Sequence, residues 1–386
     1  MTIMIMGGDG YIGWPLSMHL AVNKDESVVI VDKFLRRDWV TEVGSHSATP
    51  ILLMKNRLRA FQQSFGKTIE FEHGDLRSYE FVYRIIKKHN PRAIVHLGEQ
   101  PSAPYSMIDA EHAAFTQVNN VVGTLNILYA VHKVVPECHL VKLGTMGEYG
   151  TPNIDIPEGF FKIDYNGRRA ELPFPKLANS FYHWSKVHDS GNIMFACKVW
   201  RLRSTDIMQG VVYGTKTNEI DEDERLLTRF DFDGVFGTVI NRYCAQAVIG
   251  YTLTPYGKGG QKRGFIALGD SIQCLTLTID NPPEAGEYRV FNQFDEVYSI
   301  NELAENVSKV ANRLGLNTDV VHVENPRIEP ENHYYNPRHE KLRRLGFRPT
   351  YKLEEELEIM LEDLSKYKDR VIAKKHVIMP KIHWKA

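Results

Sequence analysis

Cysteine is scarce. Cys138, Cys197, Cys244 and Cys274 are scattered over 386 positions, and none forms the close pair that a zinc site or a dithiol redox motif requires. They read as reduced core thiols. Net charge is nearly absent as well: 47 Lys and Arg against 48 Asp and Glu leave −1. This removes any bulk attraction to nucleic acid or an anionic membrane, so a bound anion has to be held by local charges. No apolar run approaches the roughly 18 residues of a membrane span. The start, MTIMIMGG, reads as a strand rather than a basic cleavable leader, and the expectation is a cytoplasmic protein. Internal repeats and low-complexity linkers are missing too.

What is present is a regular alternation. TIMIM (2–6), SVVIVD (27–32), IEFEHGD (69–75), AIVHLG (93–98) and HLVKLGT (139–145) predict strands, while 79–89 and 107–133 repeat apolar residues at helical spacing. Strands that are apolar on both faces predict an α/β protein with a doubly wound parallel sheet of the Rossmann type. Ligands of such sheets bind beyond the carboxyl ends of the strands. Past about residue 205 the pattern gives way to turns at GVVYGTKTN, YGKGGQKRG and DNPPEAGE, then to helical patterns at 301–315 and 353–367. The length suits two domains sharing a cleft. Residues 1–205 are expected to form the dinucleotide-binding domain, with a segment near 265–297 returning to it, and 206–386 to form mainly a smaller α/β substrate-binding domain.

Residues 7–13 read GGDGYIG and place Gly7, Gly10 and Gly13 directly after the first strand. Glycine there permits a tight turn, close approach to a pyrophosphate and packing of helix on strand. Asp32, ending the second strand, suits the adenosine ribose hydroxyls and opposes a 2′-phosphate, which favours NAD over NADP. Arg36 and Arg37 pull the other way, since basic residues in that loop can accept a 2′-phosphate. Asp75 is placed to accept from the adenine amino group. In FYHWSK, Tyr182 and Lys186 are four apart and share one helix face. An unperturbed phenol is a poor base at neutral pH, and a neighbouring ammonium favours phenolate, making the pair a general base for a sugar hydroxyl. Thr145, in LVKLGTMGEYG at the end of a central strand, would orient that hydroxyl.

Together these residues resemble the extended branch of the short-chain dehydrogenase/reductases, which acts on nucleotide sugars. From residue 4 to residue 384 the motifs VHLGEQ, SAPYSMIDA, CHLVKLGTMGEYGTPNIDIPEG, SFYHWSKVHDS, QGVVYGTKT, YGKGGQKRGF, NPRIEPENHYYN and IMPKIHW resemble the UDP-sulfoquinovose synthase family. The resemblance implies conversion of UDP-glucose and sulfite to UDP-sulfoquinovose with NAD recycled in each turnover. Oxidation at C4 acidifies the C5 proton, the C6 hydroxyl leaves, sulfite adds at C6, and C4 is reduced again. It further implies that Tyr11, Ile12, Lys33, Leu76, Leu97, Gly98, Asn119 and Val212 line the NAD site. Glu148 would protonate the departing C6 hydroxyl or take the C5 proton, with His183 beside it, and Met146 would be an uncharged wall near sulfite. Arg263 and Arg327 are expected on phosphate oxygens, Glu329 on ribose hydroxyls, and Gln209, Thr238, Asn241, Thr254, Tyr256 and Gln261 on the rest of the nucleotide sugar. Two departures stand near the expected sugar site: Pro101 where the plant-type pattern has Arg, and Met208 where it has Asn.

The nearest alternative is a nucleotide-sugar 4-epimerase or 4,6-dehydratase of the same branch. A non-catalytic NAD-binding sensor, the alternative from another class, is opposed by the presence of both Tyr182 and Lys186. The helical segments 107–133 and 180–197 carry apolar residues on more than one face, and in this superfamily the corresponding pair forms a dimer interface, so a homodimer is expected.

Overall fold

Seven strands pair in parallel to form the larger sheet of the computed structural model, which describes residues 1–384 apart from 25, 328 and 331. In chain order the strands are β1 (Thr2–Met6), β2 (Ser27–Asp32), β3 (Glu70–His73), β4 (Ala93–His96), β5 (His139–Leu143), β6 (Phe160–Tyr165), β7 (Arg168–Pro173), β8 (Arg203–Gln209), β9 (Val211–Tyr213), β10 (Lys262–Ala267), β11 (Tyr288–Gln293) and β12 (Glu296–Ser299). The larger sheet runs β11-β8-β5-β4-β1-β2-β3. The order reverses between β1 and β4, the switch point at which doubly wound sheets bind ligands.

The period-two rule explains how both faces are covered. Ile3, Ile5, Val28 and Ile30 point to one side and pack with Trp14, Leu16 and Leu20 of the helix Gly13–Asn23 and with Ile272, Leu275 and Ile279 of the helix Leu268–Asp280. Met4, Met6, Val31 and Ile94 point to the other, against the helices Tyr79–His89 and Gly123–Val134. The second sheet, β12-β10-β9, is backed by the helices Val239–Val248, Ile300–Arg313 and Leu353–Lys366. β6 and β7 form a separate antiparallel hairpin.

The chain moves between the two sheets three times. Gly210 alone separates β8 from β9. A Cβ there would lie 2.6 Å from the Gly264 carbonyl oxygen, so the crossing admits only glycine without a shift. β10 leads through the helix Leu268–Asp280 back to β11, and two residues later β12 rejoins the small sheet.

The helix expected over 107–133 is not continuous. It comprises a single 3₁₀ turn, the helix Ala110–Gln117, a π-helical segment Val118–Val122 and the helix Gly123–Val134. Such π segments recur at functional sites, and this one carries Asn119 and Asn120. The four cysteines are buried and unpaired. Among the described residues no helix is long and apolar enough to cross a membrane.

Gly13 sits where the first helix starts against the loop after β1, and a Cβ there would lie 2.3 Å from the Gly7 carbonyl oxygen. Backbone cannot yield as a side-chain tip can. Gly13→Ala is expected to lower stability by about 1–3 kcal/mol, read as a lower urea midpoint with an unchanged slope.

Candidate active site

A single cleft of about 490 Å³ opens over the carboxyl ends of β1, β4, β5 and β8 and reaches to the second sheet. At its switch-point end the loop after β1 is pinned from below. Gly7, at φ +90°, donates to the Val31 carbonyl at 2.8 Å, and Asp9 N–H donates to Asp32 Oδ2 at 2.9 Å. The Asp9 carboxylate is gripped by Arg37 at 2.7 Å and by Arg57 at 2.9 Å, with Arg57 fully buried over the Trp14 ring. Around the loop the cleft is lined by Gly7, Gly10, Tyr11, Ile12, Gly13, Asp32, Lys33, Asp75, Leu76, Leu97, Gly98, Asn119 and Val212.

The charges here differ from a simple reading of the sequence. Burial, and next the neighbouring Asp9, push the Asp32 carboxyl up to about 6. Asp75 is bound by Lys33 at 2.8 Å and by Arg77 at 2.6 Å. Burial works to raise its pKa, but these hydrogen bonds outweigh it and hold the carboxylate well below the usual range. Arg36 lines the cleft with its guanidinium committed to Asp231 at 2.7 Å and stacked 4.1 Å from the Phe236 centroid. Arg37, expected along the cofactor, lies outside the cleft lining, because Asp9 and the Leu52 carbonyl hold it beneath the loop.

At the middle of the cleft Thr145, Tyr182, His183 and Lys186 share one wall. Thr145 caps the short turn Met146–Glu148, its hydroxyl accepting from Gly147 N–H at 3.1 Å. Ser180 caps the helix Phe181–Trp200, accepting from His183 N–H and meeting His183 Nδ1 at 3.0 Å. The imidazole fills the space that a side chain at position 147 would occupy, for a Cβ on Gly147 would lie 2.4 Å from His183 Nε2. Burial, and then Arg327 and Arg263, push this histidine down to about 3, so the ring is neutral at physiological pH. Lys186 donates to the Leu143 carbonyl at 2.7 Å and is ion-paired with Glu99. Burial raises the pKa of the Tyr182 phenol, with Lys186 the largest opposing influence. The lysine therefore does not by itself outweigh burial at the phenol.

Four expectations need correction here. Glu148 does not reach the cleft. It is wholly buried, lies 3.4 Å from Lys142 and 3.3 Å from Lys176, accepts from Ser190 at 3.1 Å and closes a capping box on Thr145 N–H. Burial works to raise its carboxyl, yet Lys142 and then Lys176 overcome this and hold it at about 2. An anion held this way is a structural counter-ion rather than a proton donor. Met146 points into an apolar cluster with Tyr149, Phe174, Met208 and Phe294, not to a sugar wall. Met208 is in that same cluster, so of the two departures only Pro101 lines the cleft. Thr254 is buried outside the lining, accepting from Gln246 at 2.8 Å. Tyr149 packs at right angles to Phe174, lies under the Lys176 ammonium and donates to Asn292 at 2.9 Å.

The far end of the cleft carries Gln209, Thr238, Asn241, Tyr256, Gln261, Arg263, Arg327 and Glu329, all expected from the sequence. Arg242, which sequence reasoning missed, joins them. Its guanidinium lies over the Tyr256 ring at 4.2 Å and donates to that hydroxyl. Arg263 pairs with Glu329, and Arg327 lies over Trp384 at 5.4 Å. Burial pulls all three guanidiniums down to about 10. Together Arg242, Arg263 and Arg327 gather three guanidiniums at this end of the cleft, a set suited to a diphosphate. Glu99 was also missed, although the carboxylate directly after Gly98 at a strand end was its signal.

Lys142 holds the floor together, and Lys142→Met would strand Glu148 and Asp206 in a dry interior. The variant is expected to lose about 3–5 kcal/mol in urea unfolding. Because the Glu148 carboxyl is held low, the stability it contributes is complete at neutral pH and fades as pH falls from the ordinary carboxylate range toward about 2. The gap between the two proteins should narrow on acidification.

The family model described as GDP-mannose 4,6 dehydratase matches residues 4–160. Among solved structures, a UDP-glucuronic acid 4-epimerase from Bacillus cereus, in complex with UDP-glucuronic acid and NAD, superposes with a TM-score of 0.71 at 18% identity, covering 95% of this chain and 99% of that one. Sequence relatives are much nearer. The chloroplastic UDP-sulfoquinovose synthase of Spinacia oleracea is 52% identical over 99% of this chain and 79% of its own length. The UDP-sulfoquinovose synthase of Sulfolobus acidocaldarius is 50% identical over 100% of this chain and 98% of its own. On this full-length similarity, the chain belongs to the UDP-sulfoquinovose synthase family.

Proposed function

We propose that the chain converts UDP-glucose and sulfite to UDP-sulfoquinovose and water, with NAD restored in each turnover. Family membership over the whole length supports the overall reaction. The observation that carries the residue assignment is the convergence of Thr145, Tyr182, His183 and Lys186 on one wall of the cleft that the glycine loop enters.

The residues at the switch point fit NAD. The cleft side of Gly10 is open, since a Cβ there meets only the Gly7 carbonyl oxygen within 4 Å, so a pyrophosphate can approach the backbone. Asp32 presents its carboxylate where a 2′-phosphate would be repelled, and the two arginines that could favour that phosphate are committed to Asp231 and Asp9. Bound NAD supplies the acceptance and return of a hydride at C4. Tyr182 takes the C4 hydroxyl proton and later gives it back, while Thr145 orients that hydroxyl and Lys186 steadies the phenolate. With Glu148 confined below the floor, the neutral His183 is the group that moves the C5 proton and assists departure of the C6 hydroxyl. Sulfite then adds at C6. Arg242, Arg263 and Arg327 hold the diphosphate at the far end.

The exposed apolar residues Tyr129, Phe181, Trp184, Phe195 and Val199 on the helices Gly123–Val134 and Phe181–Trp200 support a homodimer joined through this face. Light scattering should give twice the chain mass, and Phe195→Glu should reduce it to one chain. An unchanged mass would remove this face as the interface.

Incubation with UDP-glucose and sulfite should yield a product of UDP-sulfoquinovose mass. UDP-galactose, or a 4-keto-6-deoxy sugar without sulfonate, would support the epimerase or dehydratase alternative. Tyr182→Phe should cost roughly 10²–10⁴-fold in turnover. His183→Ala should still form a C4 keto sugar, trapped by borodeuteride and identified by mass, while making no sulfonate. Retention of sulfonate synthesis would take the elimination step away from His183.

A further inference from the structure

The Lys186 ammonium does not serve Tyr182 alone. It is ion-paired with Glu99 and donates to the Leu143 carbonyl, so the cation expected to acidify the phenol is opposed by a carboxylate beside it. Glu99 is itself backed by Asp189, which lies on the same helix as Lys186 and is wholly buried. Neither Asp189 oxygen receives an N–H or O–H from any described residue, and neither does Glu99 Oε1, yet the two carboxyls lie within hydrogen-bonding reach of each other. Two bare carboxylates cannot persist there without donors, whereas one proton between them satisfies both.

The surrounding charges agree. Burial, with Glu99 second, holds the Asp189 carboxyl well above the usual range. Burial works to raise Glu99 also, but Lys186 and then His96 outweigh it and hold it at about 2. His96 is pushed down to about 4, mainly by burial, and is neutral. Lys142, Lys176 and Lys186 then face Glu99, Glu148 and Asp206, three cations against three carboxylates, with Asp189 uncharged. The groups acting on Tyr182 are Lys186, Glu99, Glu148 and Lys142, with the neutral His183 ring beside it.

We propose that Glu99, steadied by a proton shared with Asp189, is a positioning residue that sets the basicity of Tyr182 through Lys186. The carboxylate opposes the pull of Lys186 on the phenol proton, and it keeps the ammonium aimed between Leu143 and Tyr182. This rests on the assignment of Tyr182 as the base under the proposed function.

The test uses the full-length protein with bound NAD. UDP-glucose is added without sulfite, the C4 keto sugar is trapped by borodeuteride, and its rate of formation is followed against pH. In parallel, tyrosinate ultraviolet absorbance is titrated without sugar, with the corresponding Tyr182→Phe protein subtracted. Glu99→Gln removes the opposing charge at constant shape, favours phenolate, and should move both the rising limb of the rate and the Tyr182 absorbance step down by about one pH unit. Asp189→Asn exchanges one uncharged group for another and should leave both where they are. If Glu99→Gln does not fold, Glu99→Asp, which withdraws the carboxylate from the ammonium, should shift both in the same direction by less. A limb and step at the wild-type pH in Glu99→Gln, or an equal shift in Asp189→Asn, would overturn the proposal. If the wild-type protein forms no keto sugar, the functional reading fails, and the absorbance titration still decides on Glu99.

Discussion

One buried ammonium organises the floor of the cleft. Lys142 has no solvent exposure, and removing such a charge from water costs several kcal/mol unless partners surround it. They do: Glu148 and Asp206 lie at 3.4 and 3.7 Å, and the Lys186 carbonyl and Ser190 hydroxyl accept at 3.0 and 3.2 Å. The consequence is positional. Glu148 also accepts from Thr145 N–H, and the Lys186 carbonyl belongs to the helix that carries Tyr182. The turn that presents the threonine and the helix that presents the tyrosine are thus both fastened to the same ion.

The two ends of the cleft work in opposite electrostatic regimes. Around Tyr182 the charges are matched and dry, so a single added or removed proton is felt strongly there. At the other end Arg242, Arg263 and Arg327 bring three guanidiniums to the cleft lining, so an anionic ligand meets matching charge there. A substrate with a charged nucleotide diphosphate and an uncharged hexose has this same polarity along its length.

Much of the architecture was legible because it is periodic. β1 and β2 coincide with the apolar runs 2–6 and 27–32, and the helix Tyr79–His89 with its pattern. β3 is shorter than the run 69–75 because its last residues turn away to carry Asp75. The π segment Val118–Val122 left no trace in the pattern, since it adds a residue to the turn without changing residue types. The glycine loop, Thr145, Tyr182, Lys186, Arg263 and Arg327 line one cleft, the convergence that the sequence implied. Glu148 was misjudged for an identifiable reason. Spacing places a residue near a strand end but does not say on which side of the turn it lies, and here Lys142 and Lys176 draw the carboxylate inward. Tyr149 and Arg37 were polar residues whose partners, Asn292 and Asp9, lie far away in sequence, and no local pattern records such pairings.

The threefold crossing of the chain between the sheets bears on how the cleft can move. Two lobes joined by one flexible connection can swing about it. Here Gly210, wedged against Gly264, the helix Leu268–Asp280 that leads to β11, and the two residues that follow β11 stitch the lobes together at three places. Opening by rotation would require all three stitches to bend together. The lobes should therefore melt as one cooperative unit, so that damage to the small sheet is reported by the large one.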